Sequence, residues 1–367
     1  MKSVFCWFYS MCLIFTVFFT STTAEAIEPV QVGVYYFDGW SAPPDENGYT
    51  WHIRERLVKE FPEREPVWGW RDDTMEIMET QINYAADAKL GFFAFCWYYP
   101  ETGEKIVPQN NALDLFLKAP NKDRLEFCLL VANHGGFRVG PDDWDAVCEI
   151  WLRLFQEPNH LKIDGKPLII FFSASELRQS FGSPEAVKAA LAELRERAQK
   201  AGLPGVTVAG CAWPNQDMSD LNLCGFDIFT GYNYPGYGVR GEERKRDYDE
   251  LLANDKKAWD DIAKQTTTRY IPVATVGWDM RPWEPANEPP KSYYFLGQTP
   301  EKVAQGVQNA IDWVNMHPDQ TPKERLALLY AWNENGEGGF LTPTKKDGTA
   351  VLDAVKKTIE NQKKTPK

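Results

Sequence analysis

Positive charge is in deficit: 40 Lys and Arg face 52 Asp and Glu, for a net charge of −12 over 367 residues. A surface of that sign repels phosphate backbones, which excludes nucleic acid as a partner. Histidine is scarcer still. His52, His134, His160 and His317 are the whole set, spread far apart with no HExxH or other metal-ligand spacing, so neither a metal nor a cofactor is expected. Of seven cysteines, Cys6 and Cys12 fall in an N-terminal apolar run. The odd remainder, Cys96, Cys128, Cys148, Cys211 and Cys224, lacks ligand spacing; Cys96, Cys128 and Cys211 sit in strand-like runs as small core residues. A Cys211–Cys224 pairing stays open. No GxGxxG, P-loop or GxSxG occurs, which removes the glycine-rich phosphate turn and the serine nucleophile elbow. No repeat and no Pro/Gly/Ser linker divides the chain, and one domain is implied.

Aromatic side chains, by contrast, are abundant: 14 Trp, 15 Tyr and 21 Phe make 14% of the chain. Flat apolar faces with polar edges suit sugar rings, which offer C–H patches and hydroxyls together. The N-terminus has the form of an export signal. Lys2 precedes the apolar "VFCWFYSMCLIFTVFFT", and Ala24-Glu25-Ala26 is a small-x-small cleavage site. Residues 1–26 are therefore expected to be removed after Ala26, leaving a barrel domain over 27–362 and a flexible tail over 363–367. A secreted or periplasmic location follows, with membrane contact only if the signal stays uncleaved.

Eight strand-like runs follow: "VGVYYF" (32–37), "GFFAFCWYY" (91–99), "LEFCLLVAN" (125–133), "PLIIFFSA" (167–174), "VTVAGCAW" (206–213), "FDIFTGYNY" (226–234), "YIPVATVGW" (270–278) and "LALLYAWN" (326–333). Most are continuous apolar runs, the pattern of parallel strands covered on both faces. Helix-like segments separate most of them. One opens at Asp72 and Asp73, one has Ser183 as N-cap with Pro184 behind it, and one repeats the device with Thr299 and Pro300. The expectation is a single-domain α/β fold, a (β/α)₈ TIM barrel. The competing doubly wound sheet lacks its phosphate turn here.

In such barrels chemistry gathers at the C-terminal ends of the strands. The first run ends in Tyr36, Asp38 and Trp40, the second in Trp97 and Tyr98, the third in Asn133 and His134. The fifth gives Trp213, the sixth Tyr232, Asn233 and Tyr234, and the seventh Trp278, Asp279 and Arg281. The eighth gives Trp332, Asn333, Glu334 and Glu337. Aromatics, amides and acids recurring at one end predict a sugar-lined cleft, with the tryptophans supplying stacking platforms. Asp38 and Asp279 are reserve acids, Asp279 with Arg281 as partner. Asp247-Tyr248-Asp249 mimics a metal-binding DxD but precedes a helix-like run and is expected to cap it.

Glycoside cleavage needs one acid at the leaving oxygen and one carboxylate at the sugar. Glu334 and Glu337 meet that need if the chain turns between them, which Gly336, Gly338 and Gly339 favour. "YAWNENGEGGFLTPT" resembles the terminal signature of glycoside hydrolase families 99 and 71, which include endo-α-mannosidases and α-1,3-glucanases. "GVYYFDGW", "INYAADAKLGFFAFCWYY", "KIDGKPLIIFF", "FTGYNY" and "VGWDMRP" support it in order along the chain. The resemblance implies a barrel cleaving internal α-linkages of mannan- or glucan-like polymers without metal. It gives Glu337 the general acid/base role and has Glu334 act on the sugar 2-hydroxyl through a 1,2-anhydro intermediate, with retention. Family 99 places aromatic and histidine residues between its glutamates, where this chain has Asn335-Gly336. The expected protein is a monomeric, exported, endo-acting glycoside hydrolase with a polysaccharide or oligosaccharide substrate. The alternatives are a non-catalytic glycan-binding barrel and a polysaccharide-biosynthesis glycosyltransferase.

Overall fold

A computed structural model of the chain describes Met1 and residues 28–40, 55–100 and 108–362. The expected signal, His52 and the tail fall outside the described residues. Eight strand positions form one parallel sheet: β1 (Gln31–Tyr36), β2 (Phe92–Trp97), β3 (Glu126–Val131), β4 (Lys166–Phe171), β5 (Thr207–Cys211), β6 (Ile228–Thr230), β7 and β8 (Leu326–Tyr330). Strand β7 is in two pieces, Arg269–Tyr270 and Val273–Thr275, because Pro272 has no amide to give a ladder. Its first piece pairs with β6 and its second with β8. Since β8 also pairs with β1, the two ends of the sheet are halves of one strand and the barrel closes.

Helices α1 (Met75–Asp87), α2 (Asn111–Lys118), α3 (Trp144–Leu154), α4 (Pro184–Lys200), α5 (Met218–Leu221), α6 (Tyr248–Ala263), α7 (Pro300–Met316) and α8 (Ala350–Asn361) alternate with the strands. Ser183 and Thr299 cap α4 and α7 through their hydroxyls, as their Pro-led first turns suggest. Asp247 caps α6 by accepting from the Asp249 amide at 2.9 Å. The cap of α1 is Thr74 rather than Asp72 or Asp73, because the Asp72 carboxylate is engaged by the Tyr36 phenol at 2.9 Å. All five cysteines among the described residues are buried and free, so Cys211 and Cys224 are not bridged.

Two apolar layers result from strand alternation. Tyr35, Phe92, Ala94, Cys96, Leu130, Ile170 and Leu328 fill the barrel interior. Tyr36, Phe93, Phe95, Trp97, Leu129, Ile169 and Leu329 face the helices. No helix among the described residues is long and apolar enough to cross a membrane.

Under β7, Asp255 of α6 accepts hydrogen bonds from Thr275 N (2.6 Å) and Oγ1 (2.8 Å). Burial, opposed by those bonds, pushes its carboxyl from 3.8 up to about 7. A folded pKa above the unfolded one means that the group's favourable contribution is complete below pH ~4. It is lost as pH rises through ~7, by about 4 kcal/mol. Relative to Asp255→Asn, the wild-type protein should therefore lose stability between pH 4.5 and 7.5 in urea unfolding. Parallel pH profiles for the two proteins would contradict this.

Candidate active site

Strand β8 delivers Tyr330 inward, and the chain then turns back on itself. Asn333–Glu334 pairs antiparallel with Gly339–Phe340, and Asn335–Glu337 forms one tight helical turn between them. Gly338 ends that turn at φ +79°, a conformation that suits glycine. Gly336 is required for another reason: a Cβ there would lie 2.8 Å from the indole nitrogen of Trp283, so that ring packs directly on the turn.

Both carboxylates are drawn to one side of the turn, Glu334 buried and Glu337 half-buried. Glu334 is 7% exposed and accepts from the Tyr232 phenol at 2.7 Å. Glu337 accepts from the Tyr330 phenol, which the Asn233 side chain also bonds. The Tyr232 and Tyr330 rings meet edge-on, their centroids 4.8 Å apart. Burial first, and then the charge of Glu337, pushes the Glu334 carboxyl well above its usual range, with the Tyr232 bond pulling the other way. Burial raises Glu337 too, against the Tyr330 bond. Burial and the neighbouring charges hold both phenols protonated, so each remains a donor.

The turn is fixed from behind. Arg64 Nη2 pairs with Asp279, while Nη1 reaches the backbone oxygens of Asp279 and Asn335, each at 3.2 Å. Arg281 closes on the same carboxylate at 2.8 Å. Burial pulls the Asp279 carboxyl up, but its Arg281 hydrogen bonds and the charges of Arg64 and Arg281 hold it below the usual range. The Asp279 amide donates to the Glu337 carbonyl at 2.6 Å. This guanidinium–carboxylate group therefore grips the backbone that presents Glu337.

A model of the family described as Glycosyltransferase WbsX matches residues 68–355. The chain belongs to this family. Two relatives, both called uncharacterized protein WxcX, come from Xanthomonas campestris pv. campestris strains B100 and ATCC 33913. Each is 22% identical, over 93% and 90% of this chain and 51% and 50% of their own length. This WbsX-family chain thus spans about half the length of those relatives. Among solved structures, the GH99 endo-α-mannosidase from Bacteroides thetaiotaomicron superposes with a TM-score of 0.66 at 16% identity. The match covers 92% of this chain and 98% of that one. A glycoside hydrolase-like protein gives a TM-score of 0.62 at 16% identity over 92% and 95%. At such identity the likeness establishes the fold, a TIM barrel of the family 99 kind.

Within this WbsX-family barrel the residues expected at the cleft divide by the direction of their side chains. Tyr98, His134, Tyr232 and Trp278 pack at the C-terminal mouth on the interior core. Trp40 joins them, its indole donating to the Asn333 carbonyl at 3.0 Å. Trp213 stands on the rim, 39% exposed. Four expectations are corrected: Tyr36, Trp97, Tyr234 and Trp332 lie on the helix side of the sheet and cannot reach a ligand in the mouth. Trp97 packs against Tyr99 and Trp151, Tyr234 bonds Tyr270, and Trp332 donates to Gln81 at 2.8 Å. Asp38 is a buried helix cap, accepting from Ala112 N at 2.6 Å and Leu113 N at 3.3 Å. Asn133 and Asn333 are spent on backbone, the first on Ser173 N and O, the second on Phe37 N and O. Asp279 and Arg281 form the clamp just described. Tyr330 and Arg64 were missed; so were Phe137 and Phe172, which line the same mouth. An inward position at the end of β8 was the available signal for Tyr330.

Proposed function

We propose that this chain is an exported, endo-acting glycoside hydrolase that cleaves α-linked mannan- or glucan-like polysaccharide. The observation that carries the reading is the pair of carboxyls, Glu334 buried and Glu337 half-buried, each under its own phenol and each raised. Burial and the charge of Glu337 work against ionising both acids together, and the proposed cycle runs on one proton shared by the pair. A retaining cycle uses that count at every stage. The resting pair favours the proton on Glu334, which burial and the Glu337 charge raise, so the cycle begins with its transfer to Glu337. Glu337 then gives it to the leaving glycosidic oxygen while ionised Glu334 takes the proton of the sugar 2-hydroxyl. That oxygen closes on the anomeric carbon as the old bond breaks. Water then opens the 1,2-anhydro ring, losing a proton to Glu337 as Glu334 returns one to the 2-oxygen. The aromatic mouth supports a carbohydrate ligand, and the signal-like N-terminus supports export.

The family description favours a second reading, a glycosyltransferase. Against it, the DxD-like Asp247 and Asp249 serve a helix start and share Lys302, at 3.3 and 2.9 Å. The test is incubation with α-mannans and α-glucans, with product size and anomeric form as readouts. Oligosaccharides with retained configuration support the proposal. Monosaccharides alone contradict endo cleavage, dependence on a nucleotide sugar selects the transferase, and binding without release selects a glycan-binding barrel.

Tyr330 supplies a pH test. Its phenol stabilises the ionised form of Glu337, so Tyr330→Phe should raise the Glu337 pKa further. Because Glu337 must be protonated to cleave, the alkaline limb of kcat/KM should move to higher pH. A limb that stays in place or moves down would remove Glu337 from the acid role.

A further inference from the structure

The wall of the mouth between β2 and β6 differs chemically from the carboxylate side. Phe172 follows β4 directly and, since Phe171 faces the helices, it faces inward. Its ring lies 5.1 Å from that of Tyr232, one ring removed from Glu334. From there the rings continue: His134 is 5.3 Å from Phe172, Phe137 is 5.8 Å from His134, and Tyr98 is 5.0 Å from Phe137. Phe137 and Phe172 are only half-buried. They give a corner whose exposed surface is largely carbon.

Apart from the Tyr98 phenol, which feels the charges of Glu334 and Glu337, the polar groups around this corner are largely committed to one another. The Tyr232 phenol serves Glu334 and touches the Cys96 thiol at 3.8 Å. The Asn133 amide is used at both ends by Ser173 backbone. Ser173 Oγ bonds Ser175 Oγ at 3.1 Å, Gln216 Nε2 donates to Ser175 Oγ at 3.0 Å, and Gln216 Oε1 accepts from Trp213 N at 3.1 Å. On the outer rim Arg138 pairs with Glu176 at 3.1 Å. His134 is kept neutral by burial and adds one polar edge. A sugar hydroxyl pressed into the corner would leave water without a matching partner on Phe137 or Phe172, whereas a methyl group would lose nothing.

Resting on the glycosidase reading, we propose that this corner binds a 6-deoxyhexose residue. Such a sugar presents a methyl group where an ordinary hexose presents a hydroxymethyl. The substrate class is thereby narrowed to an α-linked polysaccharide that contains 6-deoxy sugars. The hydroxymethyl counterpart is disfavoured by about ten- to a hundred-fold, the discrimination that one unpaired hydroxyl supplies.

Calorimetric titration of the Glu337→Gln protein tests this without turnover. Its ligands are α-linked oligosaccharides, in manno and gluco configurations, matched except for methyl or hydroxymethyl at C6. Tighter binding of the 6-deoxy member by about ten-fold or more is the expected result. Phe172→Tyr, which brings a hydroxyl to the corner, should narrow that preference. Phe137→Tyr serves as the second variant should the first not fold. Equal binding, a preference for hydroxymethyl, or no binding of either ligand overturns the assignment. Because the readout is affinity, an intact 6-deoxy preference in a wild-type protein that releases no product would defeat the hydrolase reading and leave this one standing.

Discussion

Glu337→Gln is expected to lower kcat by about 10³-fold or more while leaving the fold intact. Glutamine keeps the shape of the side chain and can still accept from Tyr330, but it holds no transferable proton. The shared-proton cycle then fails at both steps, since the leaving oxygen is not protonated and the attacking water is not deprotonated. KM should change little, because the walls of the mouth remain. Stability should not fall either: a carboxyl pushed up by burial is one whose charge opposes folding, and the amide carries none. Reducing-end release together with circular dichroism checks both halves. A variant within ten-fold of wild type would take Glu337 out of the chemistry.

The second large effect concerns stability. Arg64 and Asp279 are paired with only 6% and 8% of their side chains exposed. Removing one member strands a buried charge, and Arg64→Met should cost about 3–5 kcal/mol in urea unfolding. Arg281 remains beside Asp279 but is itself 27% exposed, so it screens only part of the loss. The same substitution also releases the carbonyls of Asp279 and Asn335, so the turn that presents Glu337 should loosen and kcat should fall with it. Pairing Arg64→Met with Asp279→Leu removes both charges and should recover part of the stability without recovering turnover. A destabilisation under 1 kcal/mol in the single variant would mean that the pair holds little.

Much of this fold was legible along the chain because parallel strands buried on both faces advertise themselves as unbroken apolar runs. Caps are equally local: Ser183, Thr299 and Asp247 each bond an amide two or three positions on. The site was legible only in part. Strand ends carry polar and aromatic side chains on alternating faces, and composition alone does not sort them. Tyr35 and Tyr36 are adjacent and chemically identical, yet one lies in the barrel and the other among the helices. The same alternation explains why Trp97 and Trp332 read as platforms and are packing, while Tyr330, unremarked within an apolar run, holds Glu337. Arg64 left no local trace, since its partner is 215 residues away and the segment around it has no regular period. The run 270–278 was expected as one strand; Pro272 divides it, and the pairing partners of the two pieces make that break the seam of the barrel.

That seam has a mechanical meaning. Residues up to Ile271 are tied to β6, by Ile271 N to Phe229 O at 3.0 Å, and from Pro272 onward to β8, by Leu328 N to Pro272 O at 2.9 Å. The staves of the cask are therefore clasped by a stave that changes hands halfway along its length. At that clasp the strand leading to Tyr232 and the strand leading to the acids are joined through this one stave.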